Sequence, residues 1–419
     1  MTAHSRRLAS AAALLLVASS CSLVSHPGPS ITLGALYPLS GHQGPGGVDE
    51  DRGTRLAVEL ANDHGGVNGR HINLKQIDVE AGAAAPRAMD QFKADGIDIV
   101  LGTYGSTISE PASVEAHQNG MLLWETGAVG ETADDAGAGE NFFRIAPAGA
   151  NLGRAGVSFI HDQLAPFLDR PPVSYAVAYV DDAYGRAVGL GAVAQVKDMG
   201  AQLAGVFPYD ISTFDPKALE AKIAESTPDV LFVSAYLDDG IALRKATIDA
   251  QLPLLASVGT SSSYCMPAFA AALGPGAVGL FASDKPDAAD VREDALTPEG
   301  RQNLVWARDR YTKLYHQPMS TAALAGFANA WALVGHVLPA APGFTPGQVA
   351  ATARDMKLAP GTLANGAGLD LAPPGATDAG QNRAAVSVIW QWVDQNTQAV
   401  VYPPAFATRP PSPVAIQTR

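Results

Sequence analysis

The residues best suited to bind a ligand stand in short loops that follow predicted strands. The apolar run Ile97 to Leu101 is predicted to be a strand, and the polar loop from Gly102 to Thr107 follows it directly. A helix is predicted to begin near Ser109, because Pro111 is tolerated only in a first turn. Backbone N–H groups at a helix N-terminus, together with hydroxyl groups, form a ready site for an anion. The loop therefore predicts a place for a negatively charged group of a ligand.

Two residues of this loop each allow a second interpretation. Ser106 could donate its hydroxyl to a ligand, or it could only cap the helix or close a turn. Gly105 could let a ligand approach the backbone closely, or it could be an ordinary turn glycine. The sequence leaves both alternatives open.

Two tyrosines in the second half of the chain could complete such a site. Tyr184 lies in the segment Asp181 to Gly185, and Tyr236 follows the predicted strand Val230 to Val233. A tyrosine presents an apolar ring and a hydroxyl, which suits it to close over a small solute. Each could instead be half-buried within its own half of the protein. Asp182 is predicted to cap the following helix rather than to contact a ligand.

No motif for covalent, metal or nucleotide chemistry accompanies these residues. The chain has no GxSxG, HExxH, CxxC or GxxxxGK[ST] pattern, so no enzymatic activity, metal or cofactor is predicted. Cys265, near a tyrosine and a methionine, fits a small buried residue better than a nucleophile. The formal net charge of −13 excludes binding driven by counterion release from nucleic-acid phosphates.

Alternating strand and helix patterns must position these loops. This order is typical of an α/β fold with a parallel sheet covered on both faces, in which a ligand lies beyond the carboxyl ends of the strands. A composition of 47% hydrophobic and 16% charged residues fits a globular protein of this class. Because the pattern repeats, two similar halves are predicted. The predicted strands are 31–36, 71–79, 97–101 and 121–124 in the first half, and 173–180, 203–207, 230–233 and 254–258 in the second.

The amino terminus is typical of an exported protein. Arg6 and Arg7 precede an apolar run from Leu8 to Ala18, which is too short to span a membrane. Small residues then lead to Cys21, which resembles the acylated cysteine of a bacterial lipoprotein. The prediction is a signal peptide over residues 1–20, lipidation such as palmitate at Cys21, and a linker over residues 21–30. The alternative is plain secretion with an incidental cysteine.

Five segments resemble the type I solute-binding proteins of ABC importers, in the branched-chain amino-acid (leucine/isoleucine/valine)-binding family. The segments are Leu36 to Gly41, Leu56 to Arg70, Gly102 to Ser113, Phe143 to Pro147 and Asp181 to Gly185. The resemblance implies two Rossmann-like lobes joined by a multi-strand hinge. It implies a first lobe of residues 31–149 and about 282–340, and a second lobe and tail of residues 150–281 and about 341–402. Residues 403–419, at the chain terminus, are predicted to be a disordered end. Hinge crossings are expected near 146–153 and 279–284, and an irregular course over 339–380.

The resemblance also implies roles for individual residues. In relatives, the serine at the position of Ser106 helps to bind the ligand carboxylate, and the run that corresponds to 125–130 meets the ligand. Gly127 and Ala128 could offer backbone groups there, whereas Val129 lacks the usual hydroxyl. Glu125 could hold a cationic group or form a surface ion pair. The predicted ligand-binding residues are Tyr104, Gly105, Ser106, Thr107, Gly127, Ala128, Tyr184, Tyr236, Asp238 and Thr260.

One departure from the family limits the prediction of the ligand. Relatives that bind α-amino acids pair the ammonium group with an acid at the end of a later strand, and the corresponding stretch 259–263 has no carboxylate. Asp238 or Glu125 could substitute, or the ligand could be something other than an amino acid. The predicted function is extracytoplasmic capture of a small polar solute by lobe closure, followed by delivery to an ABC permease. A sensory binding protein with the same fold is the alternative.

Overall fold

The computed structural model describes residues 29–41, 43–131, 137–260 and 262–412. The predicted signal peptide, Cys21, most of the linker to residue 30 and the end of the predicted disordered tail lie outside these residues. The described chain is an α/β protein built around two sheets. The predicted fold class of two lobes is confirmed.

Strands and helices alternate as the sequence patterns predict. The strands are β1 Ile31–Tyr37, β2 Ile72–Asp78, β3 Ile99–Gly102, β4 Leu122–Glu125, β5 Phe142–Arg144, β6 Ser174–Val180, β7 Gln202–Tyr209, β8 Val230–Ser234, β9 Ala256–Thr260, β10 Phe281–Asp284, β11 Lys357–Leu358, β12 Leu369–Asp370, β13 Val388–Trp392 and β14 Gln398–Tyr402. The helices are α1 Gly44–Asp63, α2 Ala85–Ala94, α3 Ser106–Gln118, α4 Gly149–Phe159, α5 Ala183–Asp198, α6 Pro216–Glu225, α7 Leu237–Asp249, α8 Pro267–Leu273, α9 Pro298–Tyr315, α10 Thr321–Trp331, α11 Leu338–Ala340 and α12 Pro346–Asp355.

Each lobe contains one large sheet. The first sheet has five parallel strands in the order β2-β1-β3-β4-β5. The second has seven strands in the order β14-β13-β10-β9-β8-β6-β7, and its last two strands along the chain, β13 and β14, run antiparallel to their neighbours. Since the buried strands are apolar runs rather than alternating patterns, both faces of each sheet are covered.

Helices α1 and α10 pack closely in the first lobe because each carries a glycine at the contact. A side chain at Gly53 would place its Cβ 1.9 Å from the carbonyl oxygen of Ala323, and one at Gly326 would place it 2.1 Å from that of Glu50. The segment Thr321–Ala340 is apolar and long enough to cross a membrane, but 78% of its most apolar stretch is buried inside the protein. It therefore serves as a core segment of the lobe.

The chain passes between the two lobes three times. It leaves the first sheet after β5 and enters the second lobe with α4, whose Leu152 and Val157 lie in the core around the second sheet. It returns after β10, since Ala288 and Val291 pack in the first core. It crosses again before β13. The predicted crossing at 279–284 is therefore wrong in position, because residues 281–284 are a strand of the second sheet and the crossing begins at Lys285.

The segment predicted to run irregularly, 339–380, contains helix α12. Thr345 and Gln348 form a capping box, with Pro346 at the first position, so the sequence carries a full helix-start signal there. Its residues Val349, Ala350 and Ala353 are buried in the core of the first lobe. Further along, residues 403–412 lie against the second sheet, where Thr408 N–H donates to Val400 O. The assignment of residues 341–402 to the second lobe is therefore wrong for α12, which packs in the first core, whereas β13 and β14 do lie in the second sheet.

Candidate ligand-binding site

The carboxyl ends of the parallel strands in the two sheets face each other. From the first lobe come the loops after β3 and β4, and from the second come the loops after β6, β8, β9 and β10. A side chain at Gly130 would place its Cβ 2.6 Å from Ser106 Cβ and 3.1 Å from Ala183 O of the opposite lobe. Lys285 Nζ donates to Gly127 O across the same gap, at 3.3 Å. The loops of the two lobes are thus in direct contact.

Glu125, at the end of β4, organises the loops of the first lobe. Its Oε1 accepts from the backbone N–H groups of Thr103, Gly127 and Ala128 at 2.7, 3.0 and 2.8 Å. Its Oε2 accepts from the hydroxyls of Thr103 and Ser109 at 2.9 and 2.6 Å. The side chain is fully buried, so the alternative of a surface ion pair is wrong. The five hydrogen bonds tie the loops after β3 and β4 together.

Ser106 lies at the first position of α3, three residues before the predicted start. Its Oγ accepts from the backbone N–H groups of Gly130 and Val129 at 2.9 and 3.3 Å. Pro111 consequently lies inside the helix rather than in its first turn, which corrects the prediction. The Ser106 hydroxyl keeps its own hydrogen for a further acceptor.

Gln43 contacts two other predicted residues of this loop, Gly105 and Thr107. A side chain at Gly105 would place its Cβ 1.9 Å from Gln43 Oε1, so glycine is needed there for a protein contact. Thr107 Oγ1 accepts from Gln43 Nε2 at 3.1 Å.

Tyr104 is held in a left-handed conformation with φ of 66°. Such a conformation is costly for a bulky residue and is often found at functional sites. Its hydroxyl lies against α1, since a side chain at Gly46 would place its Cβ 2.1 Å from it. Burial, and then electrostatic interaction with the carboxyl groups of Glu50 and Asp284, raises the pKa of the Tyr104 hydroxyl. It therefore stays protonated and can donate a hydrogen bond.

The second lobe contributes a connected pair of tyrosines. The rings of Tyr184 and Tyr236 lie 5.4 Å apart between centroids. Tyr184 is buried and its hydroxyl lies 2.7 Å from Thr260 Oγ1, while half-buried Tyr236 donates to Asp182 Oδ2 at 2.7 Å. Asp182 Oδ1 accepts from Gly185 N–H, which confirms the predicted cap of α5. Asp238, on the first turn of α7, is exposed and is not brought into this group.

Four buried residues outside the predicted set lie close to these loops. They are Glu50, Cys265, Asp284 and Lys285. Lys285 Nζ lies 3.6 Å from Asp284 Oδ1, and the Cys265 thiol donates to Asp284 Oδ2 at 3.1 Å. Burial and the charge of Asp284 raise the pKa of Cys265, which fits the predicted unreactive thiol. The available signal was a charged pair, Asp284-Lys285, directly after an apolar run.

Glu50 on α1 is fully buried behind the loop after β4. Its Oε1 accepts from Thr126 Oγ1 at 2.7 Å, and burial together with repulsion from Glu125 raises its pKa to about 8. For Lys285, burial acts to lower the pKa, but Asp284 and Glu50 leave it raised. At neutral pH, Glu50 is therefore mostly protonated and Lys285 is charged. Within the described ranges, no three His, Cys, Asp or Glu side chains are grouped to hold a metal ion.

Comparison with known proteins finds relatives named as leucine/isoleucine/valine-binding proteins. The "Leu/Ile/Val-binding protein homolog 8" of Brucella abortus is 27% identical over 378 residues, covering 89% of this chain and 90% of its own. Homolog 7 of Brucella suis is 27% identical over 400 residues, covering 94% and 97%.

Solved structures show the same fold. The leucine-binding protein LivK of Thermotoga maritima matches with a TM-score of 0.71 at 15% identity, covering 88% of this chain and 97% of its own. LivJ of Streptococcus pneumoniae, in complex with isoleucine, matches with a TM-score of 0.69 at 16% identity, covering 89% of this chain and 100% of its own. A solute-binding protein of R. palustris, in complex with benzoate, matches with a TM-score of 0.69 at 19% identity, covering 93% of this chain and 99% of its own. The family model described as "Periplasmic binding protein" matches residues 30–373, and the chain belongs to this family.

Proposed function

We propose that the protein is an extracytoplasmic solute-binding lipoprotein that captures a small polar solute, an amino acid or a related compound, and delivers it to an ABC permease. The observation that carries this proposal is the meeting of strand-end loops from two sheets, with hydroxyls of Ser106, Tyr184 and Tyr236 among them. Family membership supports the same class of function. The neighbours with isoleucine and benzoate show that this fold accepts amino acids and simple carboxylates.

Capture works through the relative motion of the two lobes. A solute favours the closed form only by the difference between its affinities for the closed and open forms. A shift from 1:99 to 99:1 needs about 5.5 kcal/mol of that difference. Contacts from both lobes are therefore necessary, and the hinge of three crossings lets the lobes move as bodies. Small-angle scattering is expected to show a smaller radius of gyration when solute is added.

The site assignment is tested by Tyr236→Phe and Ser106→Ala. A thermal-shift screen of amino acids, amides, short peptides and organic acids identifies a solute, since a bound solute raises the melting temperature. Calorimetry with that solute should show about tenfold weaker binding for each variant. Tyr175→Phe is the matched control, because the Tyr175 hydroxyl is buried in the second lobe and has no hydrogen-bond partner among the residues that the structure describes. Unchanged affinity in both site variants would show that the cleft is wrongly placed.

The membrane anchor is tested at Cys21. Cys21→Ala should abolish labelling by a radioactive or clickable palmitate and release the protein from the membrane fraction into the soluble fraction. Lipid labelling that persists in this variant would contradict the anchor. That outcome would not bear on the separate proposal that the two lobes bind a solute.

A further inference from the structure

We propose that Asp284 is a specificity-determining residue of the cleft, and that the solute donates a hydrogen bond from an N–H or O–H group to its Oδ1 atom. The inference rests on the proposed function, because it names a chemical group that the solute of the same cleft must carry. It follows from the position of Asp284 between the lobes and from the hydrogen bonds that its two oxygens accept.

Asp284 lies where the strands of the second sheet end toward the cleft. Ser283 pairs with Thr260 in the parallel ladder between β9 and β10, so Asp284 follows one residue beyond that pair. The Tyr184 hydroxyl lies 2.7 Å from Thr260 Oγ1. Because the carboxyl ends of neighbouring parallel strands lie at one edge of a sheet, Asp284 belongs to the same binding face as Tyr184.

The first lobe approaches Asp284 from the opposite side. The hydroxyl of Tyr104 interacts electrostatically with Asp284. The next residue along the chain, Lys285, donates from Nζ to Gly127 O at 3.3 Å. Asp284 itself is 1% exposed. Its carboxylate is therefore enclosed between groups of the two lobes.

The two oxygens of Asp284 differ in their hydrogen bonds. Oδ2 accepts from the Cys265 thiol at 3.1 Å. Oδ1 is buried, and no group among the described residues donates a hydrogen bond to it. Lys285 Nζ lies 3.6 Å from Oδ1, which is within ion-pair range but beyond a hydrogen bond. An unsatisfied buried acceptor is costly, so a donor that reaches Oδ1 gains a charge-assisted hydrogen bond.

The ion pair with Lys285 means that the donor of the solute can be charged or neutral. Because Lys285 balances the charge of Asp284, the feature that Oδ1 selects is the hydrogen rather than a positive charge. An ammonium, an amide N–H and a hydroxyl can each supply that hydrogen. A carbonyl, ether or carboxylate oxygen facing Oδ1 would place two acceptors together. The chemical class is therefore a solute with a donor group at this point.

Two other buried oxygens near the cleft, Glu50 Oε2 and Asp239 Oδ1, also have no donor among the described residues. Glu50 is mostly protonated at neutral pH, and a side chain at Gly127 would place its Cβ 1.8 Å from Oε2, so the loop covers this atom. Asp239 accepts from Tyr236 N–H of its own lobe. We assign the solute to Asp284 because Asp284 has neighbours in both lobes.

The chemical class is tested with two series of four compounds, each built on one carbon skeleton. The aliphatic series is leucine, 2-hydroxy-4-methylpentanoate, 4-methyl-2-oxopentanoate and 4-methylpentanoate. The aromatic series is phenylglycine, mandelate, phenylglyoxylate and phenylacetate. In each series the substituent beside the carboxylate is an ammonium, a hydroxyl, a carbonyl oxygen or hydrogen, so the first two compounds alone carry a donor there.

Calorimetry with the mature protein is expected to show, in at least one series, an ammonium or hydroxyl compound that binds at least about tenfold tighter than the carbonyl and unsubstituted compounds. Comparing the ammonium with the hydroxyl compound shows which kind of donor the site prefers. Equal affinities within each series, tighter binding of a carbonyl compound, or no binding of any of the eight overturns the inference. The proposed function would fail differently, with no compound of the wider thermal-shift screen bound.

The role of Asp284 is tested with double variants, because removing one member of a buried ion pair can prevent folding. Asp284→Leu/Lys285→Met removes both charges and the acceptor, and the tenfold advantage of the donor compounds should be lost. Asp284→Asn/Lys285→Met also removes both charges but keeps an amide oxygen, so it should retain most of that advantage.

Asp249→Asn is the control variant, because Asp249 is exposed at the end of α7 in the same lobe, and it should keep the native ratio of affinities. An unchanged ratio in the folded Asp284→Leu/Lys285→Met protein overturns the assignment. Equal loss of the advantage in both double variants would also overturn it, since the charges of the ion pair rather than the acceptor would then be the cause.

Discussion

Glu125 is a single residue whose carboxylate holds two loops of the candidate site together by accepting their hydrogen bonds. Its oxygens accept three backbone and two hydroxyl donors. An amide in its place would keep one acceptor oxygen and would turn its NH2, a donor, toward the donors that the other oxygen now accepts from. We expect Glu125→Gln to lower the free energy of unfolding by about 3 kcal/mol. Urea denaturation measures this change.

Glu225→Gln is the control for that substitution, because Glu225 is exposed at the end of α6. Its effect on the free energy of unfolding should stay within about 0.5 kcal/mol. An equally small effect of Glu125→Gln would mean that Glu125 does not hold the two loops together.

Helix α5 shows at the scale of an element how a cap and a binding surface share one side chain. Asp182 caps the helix through Gly185 N–H and also accepts the Tyr236 hydroxyl. Asp182→Ala should therefore lower the free energy of unfolding by about 1 kcal/mol and weaken solute binding about tenfold. Urea denaturation and calorimetry measure the two effects.

Asp215 provides a matched element in the same lobe. It caps α6 by accepting from Lys217 and Ala218 N–H groups, and its side chain is exposed. Asp215→Ala should have the same effect on stability with no change in affinity. If both variants lost affinity equally, general loosening of the lobe rather than the position of Tyr236 would be the cause.

Glu50 makes the free energy of unfolding of the whole protein depend on pH. Its pKa rises from an ordinary 4.5 to about 8 on folding, through burial and repulsion by Glu125. Between these values the folded chain holds a proton that the unfolded chain has lost, so this group makes the free energy of unfolding fall as pH rises through that window. The Glu50→Gln variant has no carboxyl group to hold this proton, so it lacks this contribution to the pH dependence.

We therefore expect the free energy of unfolding of Glu50→Gln, relative to the native chain, to increase by about 3 kcal/mol between pH 5 and pH 8. Urea denaturation across this range measures the difference, and exposed Glu225→Gln should give a flat line. A flat line for Glu50→Gln as well would mean that Glu50 is ionised in the folded protein at neutral pH.

Much of the fold could be predicted from the sequence because its signals are local. Apolar runs, turn residues and helix periods predicted the strands β1 to β4 and β6 to β9, and the repeat predicted two halves. The loops after β3, β6 and β8 followed from the same pattern, as did the cap at Asp182. Helix α12 was missed although Thr345 and Pro346 mark its start, because the surrounding glycines and prolines suggested an irregular course.

The sequence by itself determined the two α/β halves and the polar loops at the ends of their strands, since those depend on residues close together in the chain. Only the tertiary structure decided what the charged residues of those loops do. Glu125 accepts hydrogen bonds from the protein's own loops, and Asp284 forms an ion pair with Lys285. Glu50 is buried and interacts electrostatically with Glu125 and Lys285. The physical reason is that burial and the choice of a partner depend on distances between residues that are remote in sequence, which local patterns do not encode.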